Sequence, residues 1–158
     1  MSMRDINLKG KKNRIDWEGL YMKKLLPIHK NHSKKIYHRM MKKSSTLKSS
    51  LKRRSREYEV EFKISLTELR QLLYKSYGNP CLYCNETLVV SNMVCDHILP
   101  LSMGGVSTPD NLQMICSRCN TRKGPLTDKL FGKLLRWLSH QDDELERYVL
   151  RKMSSRDF

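Results

Sequence analysis

The sequence predicts an α+β fold, in which two short strands and a helix form a small finger stapled by four cysteines and flanked by further helices. Three observations carry this. Four of the five cysteines fall as two Cys-x-x-Cys pairs, Cys81/Cys84 and Cys116/Cys119. The stretch between them breaks into short β-prone runs punctuated by glycine and proline. On either side, apolar residues recur at helical spacing behind recognisable caps.

From the N-terminus, Asp16 is placed to cap a helical piece carrying Trp17, Leu20, Tyr21 and Leu25, which Pro27 breaks. Ser33 opens a second piece with Ile36, Tyr37, Met40 and Met41 on one face and lysines and arginines around the rest. The Ser/Lys/Arg-rich run 44–56 reads as a linker. Ser65-Leu66-Thr67-Glu68 is a capping box ahead of the stripe Leu66, Leu69, Leu72 and Leu73, and Gly78 and Pro80 end that helix.

Between Leu82 and Ile115 the β-prone runs are 88–90, 93–98 and 112–115, separated by Gly104-Gly105 and Pro109-Asp110. A helix is expected from about Ser117 to the Gly124-Pro125 stop. Two amphipathic helices follow, near 127–139 and 142–152. There is no internal repeat.

The chain has 158 residues, room for one compact domain plus an arm. Lys and Arg number 31 against 16 acidic residues, a formal charge of +15. Residues 1–60 hold 18 basic and 5 acidic side chains, whereas 61–158 hold 13 and 11. The reading is therefore a basic, partly helical or disordered arm over 1–60 and a nearly neutral body over 61–158. Such a field calls for a polyanion. An anionic membrane is a poor match, because no long apolar run exists and the arm's apolar positions are few and interrupted. Nucleic acid is the expected partner.

Met1 to Lys12 is charged throughout and lacks the apolar stretch of a secretory signal, so a cytoplasmic location and reduced cysteines are expected. Paired Cys-x-x-Cys motifs in that setting point to metal. A two-residue gap lets each pair present two sulfurs to one ion, and zinc prefers four thiolates arranged tetrahedrally at about 2.3 Å. Four thiolates leave no position for water, so the expected zinc on Cys81, Cys84, Cys116 and Cys119 is structural. Cys95 lies in an apolar run and reads as a small core residue.

The 31 residues between Cys84 and Cys116 exceed what a simple zinc ribbon needs. They hold Asp96-His97-Ile98-Leu99-Pro100-Leu101-Ser102-Met103-Gly104-Gly105 and then Asn111-Leu112; Cys116-Ser117-Arg118-Cys119-Asn120-Thr121-Arg122-Lys123-Gly124 follows. In order and spacing, residues 80–125 resemble the HNH endonuclease family, in its branch with Asn at the third motif position. The resemblance implies a ββα-metal finger, with a first strand ending at His97, a second near 112–115, and a helix bearing Asn120. It also implies His97 as general base, Asp96 and Asn120 as ligands of a catalytic divalent metal, Asn111 as a brace for the loop, and products with 5′-phosphate and 3′-hydroxyl ends.

These residue types suit the chemistry. In-line attack of water on a phosphodiester needs a base opposite the leaving oxygen and a cation beside it, and neighbouring strand residues point to opposite sides. An amide oxygen at Asn120 is a hard neutral ligand that favours Mg²⁺ or Mn²⁺. Arg118 and Arg122, one helical turn apart, with Lys123 adjacent, are candidates to grip backbone phosphates. The function expected is a metal-dependent endonuclease acting on DNA ahead of RNA, of the kind found in phages and mobile elements with homing, packaging or restriction roles. A double-strand cut by one such site needs two chains or two events, so a homodimer belongs among the expectations. The alternative is a zinc-finger module that binds nucleic acid without cutting it.

Overall fold

The structure, a computed structural model, describes residues 15–155; the expectations for Met1 to Lys12 lie outside them. Six α-helices and one two-stranded antiparallel sheet are described: α1 (Trp17–Leu25), α2 (Ser33–Glu57), α3 (Leu66–Ser76), β1 (Met93–His97), β2 (Leu112–Cys116), α4 (Ser117–Lys123), α5 (Asp128–Leu138) and α6 (Asp143–Ser154). The class is α+β, as expected.

The chain forms two compact units that divide after Tyr37. In the first, Asp16 caps α1 by accepting from the Gly19 N–H, and Trp17, Tyr21 and Leu25 are buried. Tyr21 meets Tyr37 edge to ring, with centroids 5.8 Å apart.

In the second unit the expected linker 44–56 is not a linker. It continues α2 as one 25-residue helix. Lys and Arg are good helix formers, and Met40, Ser44, Leu51 and Ser55 form a narrow buried seam down one side. The serines are tolerated there because their hydroxyls are satisfied: Ser44 donates to Met41 O at 2.6 Å and Ser55 bonds Ser107 at 2.7 Å. Residues 38–60, basic though they are, thus belong largely to the unit that holds the finger.

The capping box at Ser65 forms as read, with Glu68 N–H donating to Ser65 Oγ and Ser65 N–H to Glu68 Oε2. The run 88–90 is not a strand. Its neighbourhood closes as a knuckle, through an isolated Pro80–Thr87 bridge and paired Gly78–Leu88 and Leu88–Asn79 backbone bonds. Leu88 and Val90 are buried without joining a ladder.

Strands β1 and β2 pair from Met93↔Cys116 to His97↔Leu112. Neither shows an in/out alternation, since four of five positions in each are buried. The loop joining them turns back at Gly104, whose φ is +79°. At Gly105 a Cβ would lie 1.8 Å from the Leu99 carbonyl oxygen, so no larger residue fits this turn. β2 runs directly into α4, which ends at Gly124, as the glycine-proline stop predicts.

Candidate active site and metal centre

The two knuckles bring all four sulfurs of Cys81, Cys84, Cys116 and Cys119 within 4.8 Å of one another. Four sulfurs at about 2.3 Å from one ion would stand about 3.8 Å apart, and Cys84 and Cys116 are separated by 3.6 Å. Backbone N–H groups of Cys116 and Cys119 point at the sulfurs of Cys81 and Cys116, each at 3.4 Å. The donor set fits a closed metal site. Burial pushes the thiol of Cys116 up to about 11 and that of Cys119 upward too. Burial also acts against ionisation of Cys84, but the Glu86 N–H, Arg118 and the neighbouring sulfurs outweigh it and bring that thiol down to about 7. A buried four-sulfur cluster becomes fully anionic only around a cation.

Asp96, His97 and Asn120 line one open cleft of about 350 Å³, walled by Pro100 and Pro125. β1 delivers the first two and α4 the third. His97, 4% exposed, bonds Ser107 Oγ through Nε2 at 2.9 Å. Ser107 is itself fixed by Ser55 Oγ from α2 and by backbone bonds from Lys63 and to Glu61. With Nε2 committed, Nδ1 is the ring nitrogen left for chemistry. Burial drives the imidazole down to about 4, helped by the positive charges of Arg54 and Lys123.

Asp96 is held from its other side. Its Oδ2 pairs with Lys123 Nζ at 3.0 Å and accepts from Gln113 Nε2 at 3.1 Å, leaving Oδ1 outside this network. Gln113 is the cross-strand partner of Asp96 and also donates to Asp128, which in turn accepts from Tyr83.

Asn111 does not line the cleft. Its side chain accepts from Leu99 N–H at 2.8 Å and donates to Leu99 O and Val106 O, tying together both limbs of the loop beyond β1. Arg118 lies at the cysteine cluster, paired with Glu86 at 3.0 Å and 3.8 Å from Cys84 Sγ. Arg122 turns towards α6, donating to Ser154 Oγ and sharing a groove with Arg147 and Arg151.

The expected place of Lys123 on the phosphate-gripping face needs correction. It is 1% exposed, and its ammonium reaches inward to Asp96 and to the His97 carbonyl oxygen at 2.8 Å. Periodicity contained this signal: Lys123 lies four residues after Cys119, so both share the inward face of α4. Ser107, Gln113 and Arg54, which also surround the site, carry no motif that would have marked them. Cys95 is a core residue whose thiol burial pushes up to about 12.

A strand pair and a helix thus carry four clustered cysteines that could hold a metal ion, with Asp96, His97 and Asn120 converging on a cleft beside them. Residues 81–136 match the family model described as HNH endonuclease. A 54-residue stretch, 34% of the chain, is 42% identical to the CRISPR-associated endonuclease Cas9 of Corynebacterium diphtheriae. That stretch corresponds to 5% of the length of that Cas9.

Proposed function

We propose that this protein is a metal-dependent endonuclease that hydrolyses phosphodiester bonds in DNA with His97 as general base. The observation that carries the reading is the convergence of His97, Asp96 and Asn120 on one cleft within the segment matching the HNH model. His97 Nδ1 takes a proton from water as its oxygen attacks phosphorus. The bond to the 3′ oxygen breaks in the same displacement and that oxygen takes a proton from solvent water, giving 5′-phosphate and 3′-hydroxyl ends. The Ser55–Ser107 pair holds the imidazole through Nε2, and burial keeps it neutral and ready to accept. Lys123 and Gln113 hold the Asp96 carboxylate, whose free oxygen, with the Asn120 amide oxygen, would bind Mg²⁺ or Mn²⁺; two hard oxygen donors with room for water suit either ion. That ion would neutralise charge on the phosphate and the leaving oxygen.

In this reading zinc occupies the four-cysteine centre and stabilises the finger, while the basic residues of 1–60 supply phosphate contacts as a nucleic-acid-binding arm and Arg118 and Arg122 add to them at the finger. The site of action is cytoplasmic, in the service of a phage or mobile element, and double-strand cutting uses two copies of the chain. No helix among the described residues is long and apolar enough to cross a membrane. A module that only binds nucleic acid would have no need for a neutral, oriented histidine beside a carboxylate and an amide. Nicking of supercoiled plasmid in Mg²⁺ or Mn²⁺, abolished by EDTA and faster than cleavage of RNA of matching sequence, is the expected behaviour. Tight, salt-sensitive binding with no cutting under any metal would favour the non-catalytic module.

A further inference from the structure

Helix α2 lies outside the 81–136 segment, yet its last turns reach the cleft. Arg54 in its last turn and Tyr58 just beyond its end line the cleft together with Asp96, His97 and Asn120. The placement is fixed by packing, because Ser55, the next residue along, is buried and bonded to Ser107, which holds His97. A chain of three side chains therefore sets the position of α2 against the imidazole.

Among the described residues the Arg54 side chain has no hydrogen-bond or ion-pair partner, and unlike the exposed Lys52, Arg53 and Arg56 it is half-buried. Arg53 is exposed and bonds Glu57 at 2.6 Å. Arg54 Nε is shielded from solvent, and among the described residues it has no hydrogen-bond acceptor. Nor does any described acidic side chain pair with its guanidinium. The one carboxylate lining the cleft, Asp96, is already matched by the buried Lys123. The cleft is thus lined by a guanidinium whose charge no described carboxylate matches. An unmatched guanidinium facing a cleft that also holds a carboxylate, an imidazole and an amide is a natural partner for an anionic ligand. A guanidinium presents a planar fork that matches two oxygens of a phosphate.

We propose that Arg54 is a further catalytic residue, whose guanidinium binds the non-bridging oxygens of the phosphodiester being cut and stabilises the charge that builds there in the transition state. This rests on the nuclease reading above. It makes α2, which the finger motif does not include, a contributor to the active site.

The test is single-turnover cleavage of plasmid DNA in Mg²⁺ by the full chain and by Arg54→Ala, Arg54→Lys and His97→Ala, with melting temperature, zinc content and DNA affinity recorded for each. Loss of one preorganised donor to a transition-state oxyanion costs about 100-fold or more in rate. Arg54→Ala is expected to lose about that much while its DNA affinity changes less than about threefold, because a single contact is a small part of a many-phosphate interface. Arg54→Lys keeps the charge but not the fork, should fold even if the alanine variant does not, and is expected to remain at least about tenfold slow. Parental rates in Arg54→Lys and Arg54→Ala, with His97→Ala inactive, would overturn the role of Arg54 and leave the nuclease intact. A parent that cleaves nothing would overturn both.

Discussion

Lys123 Nζ lies 3.0 Å from Asp96 Oδ2, with the lysine side chain wholly buried and the aspartate side chain 9% exposed. The same ammonium donates to the carbonyl oxygen of His97. One cation at the end of α4 therefore ties down two consecutive residues of β1, on which the cleft depends.

Lys123→Met should be strongly destabilising for that reason. It leaves the buried Asp96 carboxylate without its countercharge, a situation that typically costs about 3–5 kcal/mol. Chemical denaturation of the zinc-loaded protein measures it. A loss below about 1 kcal/mol would mean that Asp96 finds another partner and does not depend on Lys123.

Cys81→Ser should abolish metal binding at the four-cysteine centre and with it the folded finger. Cys81 is fully buried, and its sulfur also accepts the Cys116 N–H at the junction of β2 and α4. Metal stoichiometry and a thermal melt read the two consequences together. An unchanged melt with one zinc still bound would contradict a four-thiolate site.

The His97 imidazole sits at about 4, below its usual 6.5, because burial disfavours the charged ring and two nearby cations repel it. Between about pH 4 and 6.5 the unfolded chain takes up a proton that the folded chain refuses. Stability therefore rises with pH across that window and falls on acidification, and His97→Ala should show a shallower slope there. His97 also stays neutral below pH 6, so if it is the general base, the acid limb of the single-turnover rate should fall well under pH 6. An inflection near 6.5 would show that His97 titrates as an exposed histidine.

The finger was legible because its chemistry is written in spacing. Two cysteine pairs, Asp96-His97, Asn111 and Asn120 each sit where a strand end, a loop or a helix must place them, and β1, β2 and α4 follow within a residue. Helix α2 was not legible. Its buried seam is built partly from Ser44 and Ser55, which read as linker residues, and only tertiary packing shows that their hydroxyls are satisfied. Lys123 was misread because a lysine beside two arginines looks like a phosphate contact, although its spacing from Cys119 turned it inward. Arg54 is far from His97 in the chain and has no local pattern, so only the fold could bring it to the cleft.

The most direct test of the central claim is plasmid cleavage by His97→Ala in Mg²⁺ and Mn²⁺ beside the parent, with zinc content, melting temperature and DNA affinity measured on the same samples. If His97 is the general base, the variant keeps its zinc, its fold and its DNA binding and loses cleavage by about 100-fold or more, in the range a positioned base contributes. Cleavage at the parental rate by a folded, zinc-loaded variant would contradict it.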